Sequence, residues 1–421
     1  MRDWDPRPPA DSDLSDHEVR LEGTHLSSRR IAVVVTGGIA AYKMPGVVRA
    51  LRRQGASVQV FVTAEAQRYV AAEALAWCSN TPVISALTPA AEHLSDSMPF
   101  DACLVAPATY NTINKCAQGI ADTPITALLA SALGRMERGK CAVLLAPTMH
   151  GSMHTSILTD NLRRLMAMGV RVIAPRDEAG KHNLPEDGVL VAEVCRALST
   201  SPLRGKRILL TGGPVPAQLD DVRQITNRFT GALSVCLARE LLLRGAELEF
   251  ILGAATVAVP PWIEHTRVND ITGYRECVLE RLSRKPCDAA ILSAGVADFA
   301  PAEPTMGKRC SDSEWKVTLE PTPKVIDEVH AAHPGMPMVA FKFTHGTTLE
   351  ELLSIARERA ARYGAVLANR AEDISATAHG AWLVRRGAAP LALSGKAAIA
   401  AGICDHLETV PVRVDAVSPR R

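Results

Sequence analysis

The chain has 421 residues, enough for two domains that each bury a core, and its 47% apolar content excludes a disordered polypeptide. Lys+Arg 47 against Asp+Glu 45 leaves a formal charge of +2, so no global pull toward nucleic acid or an anionic membrane is implied. An aromatic content of 4% weakens a base-stacking role, and no run of about 18 or more uncharged apolar residues offers a membrane-spanning helix.

Residues 1–28 carry Asp3, Asp5, Asp11, Asp13 and Asp16 with the pair Pro8-Pro9, lack the apolar core of a signal peptide, and read as a disordered tail. The ten cysteines form no CxxC pair, which favours reduced cytoplasmic thiols over disulfides or zinc. Two segments open alike: Arg30 to Gly38 and Arg207 to Gly213 are short apolar runs ending in glycines, as suits parallel strands covered on both faces. The turn-rich stretch 199–205 between them reads as a linker. It separates a first domain over 29–198 from a second over 206–410, and residues 411–421 form a closing tail.

In the first domain a helix over 40–54 precedes a strand at 57–62. Strands at 102–106, 141–146 and 170–174 alternate with helices at 119–133 and 154–168. In the second, helices at 231–244, 271–282, from 324 and at 349–363 alternate with strands at 247–252, 288–293, 315–319 and 338–343, and late strands follow at 381–384 and 390–393. The fold class expected is α/β, with two doubly wound Rossmann-like parallel-sheet domains. Ligands in such sheets sit beyond the strands' carboxyl ends, so the loops there matter most.

Three such loops stand out in the first domain. Thr36-Gly37-Gly38-Ile39-Ala40-Ala41-Tyr42-Lys43 ends a strand and opens a helix, where free N–H groups suit a phosphate; it matches neither G-x-G-x-x-G nor the P-loop. The stretch Pro107-Ala108-Thr109-Tyr110-Asn111-Thr112 offers hydroxyls and amides to a heteroaromatic ring, or simply caps a helix. The third is Pro147-Thr148-Met149-His150. Together, in this order, they resemble the flavoprotein family of cysteine decarboxylases over about residues 29–195. The resemblance implies FMN, with Gly38 and Ile39 at its phosphate, Thr63 near the flavin, and Ala108, Thr109, Asn111 and Met149 around ring and ribityl chain. It implies that His93, eight residues before Asp101, is the catalytic base. His150 stands where many members carry Asn and would contact substrate. The segment 176–185 lacks the cysteine that many members use as an acid, and resembles the shorter flap of archaeal-type members. Flavin domains of the family assemble as trimers or larger shells, with FMN between protomers.

In the second domain Asn227-Arg228-Phe229-Thr230-Gly231, Ala294-Gly295-Val296-Ala297-Asp298, Gly307-Lys308-Arg309, Pro321-Thr322-Pro323-Lys324 and Ala340-Phe341-Lys342-Phe343 follow in order. They resemble the phosphopantothenate–cysteine ligase family over 205–408, which activates a carboxylate with a nucleotide triphosphate, usually CTP with Mg2+, for attack by cysteine's amine. Asn227 would then stabilise the acyl-nucleotide, Asp298 and Phe341 border base and ribose, and Lys308, Arg309 and Lys324 meet the phosphates; Lys308 is also a catalytic candidate. No metal ligand is identified beyond that nucleotide-borne Mg2+. The partners implied are the small molecules phosphopantothenate, cysteine and CTP, with a homo-oligomer built on flavin-domain trimers and ligase-domain dimers, and neither nucleic acid nor membrane. The altered turn Pro214 to Asp220 and the cysteine-free flap keep two alternatives open: a pathway-specific relative with another substrate, or a non-catalytic flavin-binding regulator.

Overall fold

The computed structural model describes residues 6–8, 10–94, 98–303, 305–375 and 378–410; the expected tail over 411–421 lies outside them. The chain divides into two compact units at Ser199/Thr200.

In the first unit the strands are β1 (Arg30–Val35), β2 (Ser57–Val62), β3 (Ala102–Ala108), β4 (Ala142–Pro147), β5 (Met149–His150), β6 (Arg171–Val172), β7 (Arg176–Glu178) and β8 (Lys181–Asn183). The helices are α1 (Met44–Arg53), α2 (Ala72–Ser79), α3 (Tyr110–Gln118), α4 (Pro124–Met136), α5 (Ser156–Ala167) and α6 (Asp187–Leu198). A parallel sheet runs β2-β1-β3-β4-β6, and β5-β8-β7 form a small antiparallel sheet. Residues 31–35 of β1 and all of β3 are buried, as parallel strands covered on both faces must be.

Local chemistry departs from the sequence reading in four places. Pro45, in the first turn of α1, fits where its missing N–H costs nothing, and a short 3-10 turn (Ile39–Lys43) precedes it, so the helix expected at 40–54 is split. The Asn-rich stretch is itself a helix, α3, which starts after Thr109 and stops at Gly119 in the left-handed region (φ 71°); α4 begins only at Pro124, where Thr123 and Thr126 form a capping box. The end of the segment expected as a free N-terminal tail is packed: Leu26 is fully buried, and the N–H groups of Glu22 and Leu26 donate to Arg53 O and Gln54 O, satisfying carbonyls at the end of α1. The stretch expected as a linker is also folded, with Leu203 in the second unit's core and Gly205 N donating to Gly245 O.

The second unit contains β9 (Arg207–Gly212), β10 (Pro214–Val215), β11 (Ala217–Gln218), β12 (Gln224–Ile225), α7 (Ala232–Leu243), β13 (Glu247–Leu252), β14 (Thr266–Arg267), α8 (Ile271–Arg284), β15 (Ala289–Leu292), β16 (Gly295–Val296), β17 (Phe299–Pro301) and β18 (Leu319–Pro321). It continues through α9 (Val325–Ala332), β19 (Met338–Thr344), α10 (Leu349–Tyr363), β20 (Gly364–Arg370), β21 (Gly380–Arg385), β22 (Leu391–Ser394) and α11 (Lys396–Thr409). Its sheet runs β14-β13-β9-β15-β19-β20-β21-β22, parallel as far as β20 and antiparallel across β21 and β22. The strand expected at 315–319 lies instead at β18, paired with β17 outside the main sheet.

Candidate functional site

Each sheet reverses its winding next to its first strand, and each reversal is fastened by a threonine. In the first unit the Thr36 hydroxyl donates to Pro107 O at 2.6 Å and accepts from Thr109 N at 3.3 Å, joining the loops after β1 and β3. In the second, Tyr274 OH and Ala294 N both reach Thr211 Oγ1, and Gly295 N donates to Gly213 O at 2.9 Å, joining the loops after β9 and β15. A crevice beyond such a reversal is where open α/β sheets bind ligands.

Around the first crevice stand Gly38, Thr63, Ala108, Thr109, Asn111 and Met149, each at or just beyond the carboxyl end of β1, β2, β3 or β4. A Cβ on Gly37 would stand 2.5 Å from Glu65 Cβ, so that glycine lets the β2 loop approach. A Cβ on Gly38 would stand 3.5 Å from Thr109 Cγ2, an ordinary contact; glycine there keeps clear the space between two loops. Ile39 (69% exposed) and Tyr42 (58%) leave apolar surface uncovered at the same turn. Thr63 Oγ1 accepts from Ala66 N and thus also caps the turn that follows, whereas Met149 is buried in the core. His150 uses Nδ1 on Ser152, whose N–H it accepts at 3.2 Å.

His93 does not join them. It lines a small cleft with Phe100, Cys103, Leu128, Arg135 and Cys141, beside the amino ends of β3 and β4 and the last turns of α4. Ala108 lies five residue steps beyond Cys103 along β3, which at 3.3 Å per residue is roughly 17 Å. Within one chain the histidine is therefore at the opposite end of the strands from Asn111 and Met149. Its Nδ1 is buried without a hydrogen-bond partner among the described residues, a costly state for an imidazole. The neighbouring thiols are held protonated, since burial pushes Cys103 well up and Cys141 up to about 11.

The second crevice is a cavity of about 640 Å³ that brings Asn227, Asp298, Lys324 and Phe341 together. Asn227 Nδ2 donates to Gly295 O at 2.9 Å, which holds the amide in the crevice wall. Lys324 Nζ lies 2.5 Å from Asp298 Oδ1, so these two residues form one ion pair. Sequence reasoning missed Lys342, Arg359, Arg362 and Lys396, which also line the cavity. Burial lowers the Lys342 ammonium, and Arg359 adds to the effect, as expected of cations crowded around a place for an anion. The signal was available in part, because Lys342 sits inside a motif already singled out for its phenylalanine.

Lys308 and Arg309 are not among the residues lining this cavity. Their loop is tied to the turn after β11. Arg309 N and Gly307 N donate to Asp220 and Asp221, and Arg223 bridges Asp220 to Arg309 O. Asp220 is buried; burial alone would raise its carboxyl, but the N–H groups of Val222, Arg223 and Arg309 and the Arg223 guanidinium bring it down to about 2. The altered turn thus keeps an acidic residue that works as an anchor for the loop.

The Flavoprotein family matches residues 19–199, and the DNA/pantothenate metabolism flavoprotein C-terminal domain matches residues 203–410. Across both units the chain is 33% identical over 361 residues to the coenzyme A biosynthesis bifunctional protein CoaBC of Thermococcus kodakarensis, covering 83% of this chain and 88% of that one. This chain belongs to the bifunctional CoaBC family of coenzyme A biosynthesis. A further relative, from Methanocaldococcus jannaschii, is 28% identical over 82% of this chain and 84% of its own length. The DNA/pantothenate metabolism flavoprotein of Streptococcus pneumoniae aligns at 23% identity and a TM-score of 0.44, over 48% of this chain and 99% of that one. Membership makes the first unit a flavoprotein domain of the decarboxylase kind and the second its ligase companion. No helix among the described residues is long and apolar enough to cross a membrane.

Proposed function

We propose that the second unit joins 4′-phosphopantothenate to cysteine with CTP and Mg2+, and that the first unit decarboxylates the product to 4′-phosphopantetheine with FMN. The observation carrying this reading is that each unit gathers its motif residues, apart from His93, Lys308 and Arg309, at its own winding reversal. The first crevice fits a flavin. Gly38 leaves space between two loops at a helix-opening turn, Thr109 and Asn111 offer polar groups, and Ile39 and Tyr42 offer apolar cover. FMN, when bound there, supplies a reversible two-electron acceptor that lets the carboxylate leave. The protein holds it through Gly38 and Ile39 at the phosphate and through Thr63, Ala108, Thr109, Asn111 and Met149 along the ring and ribityl chain. His150 meets the substrate.

In this reading His93 takes the thiol proton in the crevice of a neighbouring copy, which its place beside the amino ends of β3 and β4 supports. The orphaned Nδ1 supports this, because a second chain would give it a partner. The working form in this reading is a homo-oligomer, and the family resemblance suggests trimers through the first unit and dimers through the second.

In the second unit Asn227 holds the activated acyl group, Phe341 and Asp298 border the nucleoside, and Lys324, Lys342 and Arg359 neutralise the phosphates. Lys308 and Arg309 join only when their loop leaves the Asp220 anchor. Purified protein should be yellow and should release CO2 only with CTP, Mg2+, phosphopantothenate and cysteine together. Colourless protein that takes up no FMN would overturn the reading.

A further inference from the structure

The hairpin of β7 and β8 carries a hydrogen-bonded series to which the reading above gives no task. Asp177 Oδ1 lies 2.5 Å from His182 Nδ1, His182 Nε2 lies 2.7 Å from His154 Nδ1, and His154 Nε2 lies 3.1 Å from Thr159 Oγ1. Two of its members, His182 and His154, neighbour the motif loops of the first crevice. His182 is the direct cross-strand partner of Met149, and Thr148 N donates to Ala108 O at 3.1 Å, so His182 stands one strand away from where β3 and β4 end. At the other end Thr155, next to His154, has its hydroxyl 3.4 Å from Tyr110 OH, between Thr109 and Asn111. The hairpin is held down by Gly151 N donating to Gly180 O at 2.9 Å, and a Cβ on Gly151 would stand 2.5 Å from that carbonyl, so glycine is required.

Two ring nitrogens facing each other at 2.7 Å share a single proton. With His182 Nδ1–H donating to Asp177, His182 Nε2 accepts from His154 Nδ1–H. His154 Nε2 then faces Thr159 Oγ1, whose own hydroxyl donates to Thr155 O at 3.3 Å, so this nitrogen is placed to offer a proton to an accepting oxygen, with the Asp177 carboxylate behind the pair as in other acid–base series.

Decarboxylation needs such a proton. The bond from carbon to carboxylate breaks, its electron pair stays on carbon, and a C–H bond must form. We propose that His154 is the acid that protonates the carbon CO2 leaves, with His182 and Asp177 as positioning residues. The inference rests on the decarboxylase reading of the first unit. The proton comes from His154 Nε2 as Thr159 gives way, the imidazolium becomes neutral imidazole, and water reloads the exposed ring. FMN, held by the crevice residues named above, would supply the two-electron exchange at the thiol-bearing carbon, so the net reaction consumes one proton and releases CO2.

Full-length, FMN-loaded His154→Gln and Asp177→Asn proteins test this, given prepared phosphopantothenoylcysteine without oxygen. CO2, flavin absorbance and product mass are followed together. Asp177 is 70% exposed, so its variant leaves the hairpin fold intact. Both variants should stay yellow when resting and still release CO2, limited to about one per flavin in the absence of an oxidant, but should leave the flavin reduced and yield a product lighter by two hydrogens. The ratio of saturated to unsaturated product should fall roughly 100-fold for His154→Gln and about 10-fold for Asp177→Asn. Saturated product in wild-type proportion from both variants overturns the proposal. So does loss of CO2 release in which the remaining product is saturated, since that marks a structural clasp. Wild-type protein that releases no CO2 overturns the decarboxylase reading itself, which keeps the two failures apart.

Discussion

The two crevices are built alike but completed differently. Each lies at a winding reversal, each is fastened by a buried threonine at the end of the unit's first strand (Thr36 and Thr211), and each uses glycines where loops approach closely. In the second unit one chain supplies a walled cavity whose amide, cations and aromatic rings already face one another. In the first, the loops are in place while the imidazole assigned to them stands at the other end of the sheet and apolar side chains remain uncovered. Fixed cations in its own walls suit the second crevice to the charged nucleotide proposed for it. The flat flavin proposed for the first would be served by a wall, and a base, from a neighbour.

The largest expected effect separates the units chemically. Asn227→Ala should lower ligation by about 100- to 1000-fold, the usual cost of removing a preorganised donor, while decarboxylation of prepared substrate is unchanged. Parallel assays of the two half-reactions check this, and a joint loss would mean that the crevices are not independent. A smaller effect is expected at the cation the sequence reading passed over. Lys342→Met should raise the KM for nucleotide about 10-fold, with little change in turnover at saturation, and ligase kinetics against nucleotide concentration read it directly.

The smallest effect concerns stability of the second unit alone. The Asp220 carboxyl is depressed in the fold, so its contribution is fully present above the unfolded value of about 3.9 and is lost as pH falls through about 2. Asp220→Asn should therefore melt at lower temperature than wild type at neutral pH, with the gap closing as the pH is lowered from about 4 toward 2. Thermal unfolding at several pH values measures the gap; one that widens in acid would remove the anchor role.

Strand–helix alternation made both sheets legible, because buried parallel strands read as unbroken apolar runs and the helices between them are amphipathic or capped. Glu247–Leu252 and Leu349–Tyr363 fall where the pattern put them. Less visible was structure set by tertiary partners. Leu26 looks like one apolar residue in an acidic tail until α1 offers its last carbonyls, and α3 hides in a polar stretch whose buried face is only Thr112, Ile113, Cys116 and Ala117. The motif residues of the second cavity were readable, since loops after adjacent strands must meet. The Asp177–His182–His154 series was not, because it depends on a three-residue strand pairing back onto Met149–His150, and no local pattern announces such a pairing.

In the function proposed above, the first crevice is finished by another copy of the chain. Co-assembling His93→Asn chains with Asn111→Ala chains, each inactive in decarboxylation alone, and measuring CO2 release from prepared phosphopantothenoylcysteine tests it most directly. Restored release in the mixed oligomer is the predicted result, since some crevices would then combine intact loops from one chain with an intact imidazole from the next. Mixed oligomers that form and stay as inactive as either parent would contradict the account.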